Sequence, residues 1–255
     1  MNIAVVQLDS AWEDKARNFA RVESLLDAAQ VEPGSLVVLP EMFATGFCMD
    51  STVTAEPEGG ETENFLSIIA RRHRVAVVGG IVGRGADGLA RNEAVAMSPD
   101  GGLLARYAKQ RPFSGAGEDA AYVRGAGGVT LAMGGFTIAP LICYDLRFPE
   151  LFRESVRAGA DLFVVIAAWP APRIGHWTAL LRARAIENQA AVIGVNRTGR
   201  EPHVEYCGGS LVVDAQGSVV AEAGESECVV TAVLDPEKIR AWRSEFPALR
   251  DAGLA

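Results

Sequence analysis

Hydrophobic positions fall into short blocks, and their spacing changes along the chain. "NIAVVQL" near the start is a continuous apolar run, as expected of a buried strand. In "EDKARNFARVESLLDAAQ" the apolar residues Phe19, Val22, Leu25, Leu26 and Ala29 recur at helical spacing, and Pro33-Gly34 closes the unit. "SLVVLP" predicts a second buried strand, "ENFLSIIARRH" an amphipathic helix and "VAVVGGIV" a third strand. This βαβαβ order suits a sheet covered by helices.

The rhythm then shortens. "ARNEAVAMSPDGGLLARYAK" reads as two strands around a turn at Pro99-Asp100-Gly101-Gly102, and "GGSLVVDAQGSVVAEA" as a second hairpin. "FTIAPLIC" and "DLFVVIAA" are buried strands on either side of the helix "FPELFRESVRAG". "HWTALLRARAIENQ" predicts a long helix, "AVIGVNR" and "CVVTAVL" further strands, and "PEKIRAWRSEF" a helix with Pro236 in its first turn. No linker or low-complexity tract interrupts the pattern, so residues 1–255 read as a single domain. The expected class is α/β with some antiparallel pairing. The amount of strand suggests two stacked sheets with helices outside.

Composition narrows the function without naming it. The chain is 49% hydrophobic and carries a formal net charge of −8, which argues against nucleic acid or an anionic membrane as main partner. No apolar stretch approaches the ~20 residues that span a bilayer. "MNIAVVQLDSAWEDK" lacks the basic start of a signal peptide, so a cytoplasmic location is expected. Cys48, Cys143, Cys207 and Cys228 form no CxxC pair and are expected to be free thiols, while the three histidines show no metal-ligand spacing. "GRGADG" at residues 83–88 matches a dinucleotide-binding glycine pattern. The alternating "LARNEAVAMS" that follows is strand-like, so a hairpin loop is expected there instead.

Three strand ends carry polar residues that their apolar runs do not predict: Glu41 in "VVLPEMF", Lys109 in "RYAKQRPF" and Cys143 in "LICYDLRFPE". Taken singly, each has an ordinary reading: a salt bridge or helix cap, a solvated edge lysine, a small buried hydrophobe. Brought together they complement one another. The glutamate can take the thiol proton; the ammonium can lower the thiol pKa and stabilise an oxyanion.

In order and spacing, these three motifs resemble those of the nitrilase superfamily of carbon–nitrogen hydrolases. The resemblance runs from "IAVVQLD" to "GGSLVVDAQG". "AAWPAPRIGHWTALLRARAIENQAAVIGVNRTG" is similar to the corresponding segment of the ω-amidase, or 2-oxoglutaramate amidase, branch. The resemblance implies a four-layer α-β-β-α sandwich with mixed sheets, commonly paired into a homodimer, and a cofactor-free, metal-free hydrolysis through a thioester. It implies Glu41 as general base, Lys109 and the Tyr144 backbone N–H as oxyanion donors, and Cys143 as nucleophile. Glu118 in "SGAGEDAAY" matches a second glutamate that positions substrate and catalytic groups.

The ω-amidase branch implies a small substrate with an amide at one end and a carboxylate at the other. Arg173 is the first candidate anchor for that carboxylate, and Phe43, Tyr144 and Trp169 are candidate pocket walls. Arg147 is read as structural, paired with a nearby carboxylate. Arg182, Arg184, Glu187 and Asn188 are read as ion pairing along one helix, and Cys48, Cys207 and Cys228 as structural thiols. Two departures from the family pattern, Gln110-Arg111-Pro112 after the lysine and Ala168 before Trp169-Pro170, bear on the pocket wall rather than on the reacting groups. A nitrilase, an N-carbamoyl amino acid amidohydrolase and a non-catalytic binding protein on this fold remain alternatives.

Overall fold

A computed structural model describes residues 1–254. Along the chain run β1 (Asn2–Gln7), α1 (Lys15–Ala29), β2 (Leu36–Val38), α2 (Ser51–Thr54), β3 (Glu56–Pro57), α3 (Glu61–His73), β4 (Ala76–Arg84), β5 (Ala90–Met97) and β6 (Leu103–Ala108). After them come α4 (Glu118–Ala121), β7 (Leu131–Met133), β8 (Phe136–Ile142), α5 (Pro149–Arg157), β9 (Leu162–Ala167), α6 (Ile174–Asn188) and β10 (Ala191–Asn196). The chain closes with β11 (Thr198–Arg200), β12 (Glu205–Cys207), β13 (Leu211–Val213), β14 (Val219–Glu222), β15 (Cys228–Val233), α7 (Pro236–Glu245) and α8 (Ala248–Asp251).

Two mixed sheets form. The first has the order β15-β1-β2-β4-β5-β6, with β3 beside β4; the second has the order β14-β13-β10-β9-β8-β7. Parallel pairs β1–β2, β2–β4, β8–β9 and β9–β10 follow helical crossovers, and the antiparallel pairs β4–β5 and β5–β6 follow tight turns. The "GRGADG" segment is one such turn, joining antiparallel β4 and β5, and opens no helix.

Strand alternation explains the layering. Ile3 and Val5 of β1 face a core shared with Ile138, Leu141 and Val164 of the second sheet. Ala4 and Val6 face the other way, onto Val22 and Leu26 of α1 and Leu66 and Ile69 of α3. On the opposite outer face, Phe152 of α5 and Trp177 and Leu181 of α6 cover the second sheet. The result is the α-β-β-α sandwich expected from the sequence. Among the described residues no helix is long and apolar enough to cross a membrane, and all four cysteines are free.

Candidate active site

The strand ends named from sequence converge. Glu41 follows β2 by three residues and is 1% exposed. The chain there passes so close to β4 that a Cβ on Gly80 would lie 2.5 Å from the Glu41 Cα, so only glycine fits. Lys109 follows β6 directly, and its N–H donates to the Asn92 carbonyl of β5 at 2.9 Å, as if the strand continued. Cys143 follows β8 and opens a 3-10 turn, Cys143–Arg147. Its φ of +47° is left-handed, a strained value for a non-glycine residue. Glu118 opens α4 and is fully buried.

One ammonium ties the two carboxylates together. Lys109 Nζ donates to Glu41 Oε1 at 2.8 Å and to Glu118 Oε1 and Oε2 at 2.9 and 2.8 Å. Asn92 was missed by the sequence reading, yet it makes a parallel bridge. Its Nδ2 donates to Glu41 Oε1 at 2.6 Å and to Glu118 Oε1 at 2.8 Å. The Phe113 N–H donates to Glu118 Oε2 at 2.6 Å, and the Ala168 N–H to Glu41 Oε2 at 2.8 Å. Glu41 keeps acceptor capacity for one further donor, and the Cys143 thiol, which donates to the Ala168 carbonyl at 3.9 Å, lies within reach of its charge.

Electrostatics assign the resting protonation states. Burial pulls the Lys109 pKa down, but Glu41 and Glu118 outweigh it and hold the ammonium above its ordinary value. Burial and the Glu41 charge push the Cys143 thiol well above its ordinary value, and Lys109 pulls the other way without reversing the shift. The lysine lowers the thiol pKa, as expected, but burial and Glu41 together raise it by more. The resting group is a neutral thiol beside an acceptor, not a free thiolate.

Asp145 holds the turn that Cys143 opens. Its Oδ2 accepts from the Ile142 N–H at 3.0 Å and the Tyr107 hydroxyl at 2.7 Å, and its Oδ1 from the Arg111 N–H at 2.9 Å. It thereby pins the turn after β8 to the strand and loop that carry Lys109. Burial raises the Asp145 pKa from its ordinary 3.8 to about 6, against the donors that favour its charge. Arg184 supports the same turn, donating twice to the Leu146 carbonyl and pairing with Glu187 at 2.8 Å. That agrees with its structural reading.

A cavity of about 620 Å³ opens onto Cys143. Tyr144, Trp169 and Arg173 line it, together with Phe47, Phe113, Ala168 and Tyr206. Phe43 does not. It is fully buried beside the stacked rings of Phe19 and Phe65 in the layer under α1 and α3, because its strand-end position turns it toward the helices. Arg147 also departs from its reading. Among the described residues it has no carboxylate partner; its guanidinium faces the cavity, 4.7 Å from the Trp169 ring. Arg173 is likewise without a carboxylate and lies 5.7 Å from the Phe113 ring. Trp169 is fixed by Asn196, whose Oδ1 accepts from its N–H at 2.7 Å.

The signals for the missed residues were weak but present. Asn92 and Glu93 interrupt a buried strand, and alternation sends them to opposite faces: Asn92 to the cluster, Glu93 to Arg106 at 2.6 Å. Tyr206 lies in the β11–β12 hairpin, whose polar sequence carries no apolar run to mark a strand.

The sequence pattern of the Carbon-nitrogen hydrolase family matches residues 2–244. "Omega-amidase YafV" of Yersinia enterocolitica is 37% identical over 98% of this chain and 96% of its own length. "2-oxoglutaramate amidase" of Bacillus subtilis is 31% identical over 98% of this chain and 96% of its own. Among solved structures, the CN-hydrolase superfamily protein XC1258 from Xanthomonas campestris, which carries an arsenic adduct in its active site, superposes with a TM-score of 0.92. It is 34% identical, covering 98% of this chain and 96% of that one.

Proposed function

The chain belongs to the carbon–nitrogen hydrolase family and is an amidohydrolase of the nitrilase superfamily, and we propose that it cleaves the terminal amide of a small carboxylate-bearing substrate through Cys143. Substrates of the 2-oxoglutaramate or 2-oxosuccinamate type fit this description. One observation carries the reading. The cavity that reaches the thiol also presents Arg147 and Arg173, two guanidinium groups with no carboxylate partner among the described residues. A guanidinium grips a carboxylate bidentately, so either can hold one end of the substrate while Cys143 meets the other. The relatives named ω-amidase and 2-oxoglutaramate amidase support the same substrate class.

In the proposed sequence, the Cys143 thiol gives its proton to Glu41 as sulfur adds to the amide carbon. The high thiol pKa makes proton transfer and attack concurrent. Negative charge grows on the carbonyl oxygen against the Lys109 ammonium and the Tyr144 N–H. Lys109 keeps its proton throughout, consistent with its raised pKa. Glu41 returns the proton to the amide nitrogen, the C–N bond breaks, and ammonia leaves a thioester on Sγ. Water then loses a proton to Glu41 as its oxygen adds to the thioester carbon. Collapse releases the carboxylic acid, and the departing sulfur recovers the proton. Glu118 and Asn92 hold the base and the ammonium in register.

The test is ammonia release from 2-oxoglutaramate by wild type, Cys143→Ala, Arg147→Met and Arg173→Met. Turnover that Cys143→Ala abolishes is expected. The anchoring arginine should raise KM by about 10- to 100-fold when replaced, the value of a charge-assisted contact. A wild type that releases no ammonia from either keto-amide overturns this substrate class and directs the assay to nitriles and N-carbamoyl amino acids.

A further inference from the structure

Outside the catalytic cluster lies a second buried ion pair, Arg197 with Glu201. Arg197 is 0% and Glu201 5% exposed. Such a pair is costly to desolvate and is sustained only when its remaining donors and acceptors are also satisfied. Here they are. Arg197 donates to the Ser10 carbonyl at 2.8 Å, and its guanidinium stacks 4.4 Å from the Tyr206 ring. Glu201 Oε1 accepts from Arg197 and, at 2.8 Å, from the Phe47 N–H. Its Oε2 accepts from the Tyr206 hydroxyl at 2.7 Å.

The partners of Glu201 give the arrangement its meaning. Phe47 and Tyr206 both line the Cys143 cavity. Phe47 belongs to the loop after β2, and Tyr206 to β12, so one carboxylate fixes two walls from distant parts of the chain. The chain makes room for it: Gly46 is left-handed at φ +75°, and a Cβ there would lie 2.6 Å from Glu201 Oε1. The Phe47 ring also reaches the catalytic ammonium, 5.5 Å from Lys109 Nζ. None of the hydrogen bonds of Glu201 is to Glu41, Lys109, Glu118 or Cys143.

We propose that Glu201 is a positioning residue for substrate binding: it clamps Phe47 and Tyr206 at a fixed separation, and the clamp sets KM rather than the chemical step. This rests on the Cys143 cavity being the substrate chamber. The charge matters because an ionised acceptor binds its donors more strongly than a neutral one and spans all three at once.

Glu201→Gln keeps the shape and removes the charge; Tyr206→Phe keeps the ring and removes one donor. Both are assayed on the amide that wild type hydrolyses fastest among 2-oxoglutaramate, 2-oxosuccinamate, simple aliphatic amides and N-carbamoyl amino acids. Glu201→Gln, which weakens all three contacts, should raise KM about tenfold, and Tyr206→Phe, which removes one of them, about threefold. The kcat should stay within about threefold, and alkylation of Cys143 by iodoacetamide should keep its wild-type rate. Wild-type KM in folded variants overturns the clamp, and so does a fall in kcat at constant KM. If Glu201→Gln does not fold, wild-type KM in Tyr206→Phe alone overturns it. A wrong substrate class would show in wild type, as poor hydrolysis of the carboxylate amides. A wrong clamp would show only in the ratio of variant to wild type.

Discussion

The two sheets bury similar apolar residues yet contribute opposite chemistry. The first supplies the charged and amide groups: Glu41 after β2, Asn92 within β5 and Lys109 after β6. The second supplies Cys143, the proposed nucleophile, after β8 and, after β9, the Ala168 N–H that reaches Glu41. The difference follows from the cost of burial. A thiol is nearly a hydrophobe and can stand alone at a strand end. Carboxylates and an ammonium can be buried only as a set that satisfies itself. Glu41 and Lys109 are therefore grouped with Asn92 at one sheet and joined by Glu118 of α4, and the cluster meets Cys143 across the sandwich.

That division can be broken from either side. The largest effect is expected from the second sheet: Cys143→Ala should lower ammonia release by at least ~10⁴-fold while leaving the melting curve cooperative, because the proposed thioester forms on its sulfur. From the first sheet, Glu41→Gln should cost ~10²–10⁴ in kcat with little change in KM, the usual value of a positioned base. Steady-state kinetics would separate the two parameters, and full activity in this variant would remove Glu41 from the mechanism. Asn92→Asp should cost ~10² in kcat, since it exchanges two N–H donations for a third carboxylate beside Glu41 and Glu118. An unchanged kcat there would make Asn92 a bystander.

The smallest effect is on stability and sharpens the comparison at its seam. The folded Asp145 carboxyl holds its proton more tightly than the unfolded one, with a pKa of about 6 against 3.8. Its contribution to stability is fully present below pH 3.8 and is lost as pH rises through about 6, amounting to about 3 kcal/mol at most. Urea midpoints measured across this window should show a slope in wild type that Asp145→Asn flattens. An identical slope in both would place the titration elsewhere.

How much of this was legible depended on the physical signal each residue leaves. Strands and helices such as β1 and α1 are written in hydrophobic spacing, because burial acts on each side chain where it stands. Glu41, Lys109 and Cys143 stood out as polar residues capping apolar runs, and the structure brings them together with Glu118. Phe43 and Phe47 could not be told apart in "MFATGF", since the left-handed turns at Met42 and Gly46 decide which ring faces the helices and which the cavity. Arg147 looked structural because the sequence does not show that nearby carboxylates such as Asp145 and Glu150 are engaged elsewhere or face away. The direction of the Cys143 shift was hidden for a related reason: it depends on depth of burial, which outweighs a neighbouring ammonium that sequence could name.

The placement of β1 reaches into biosynthesis. It lies between β2 and β15, pairing in register from Asn2 with Val233 to Gln7 with Cys228. Gln7 also donates to the carbonyls of Gly224 and Ser226. During synthesis β1 therefore waits, with one edge open, for a strand made much later. Contacts of such long sequence separation form late, and an open strand edge invites pairing with other chains. A nascent chain of this enzyme stays open to mispairing until β15 has been made.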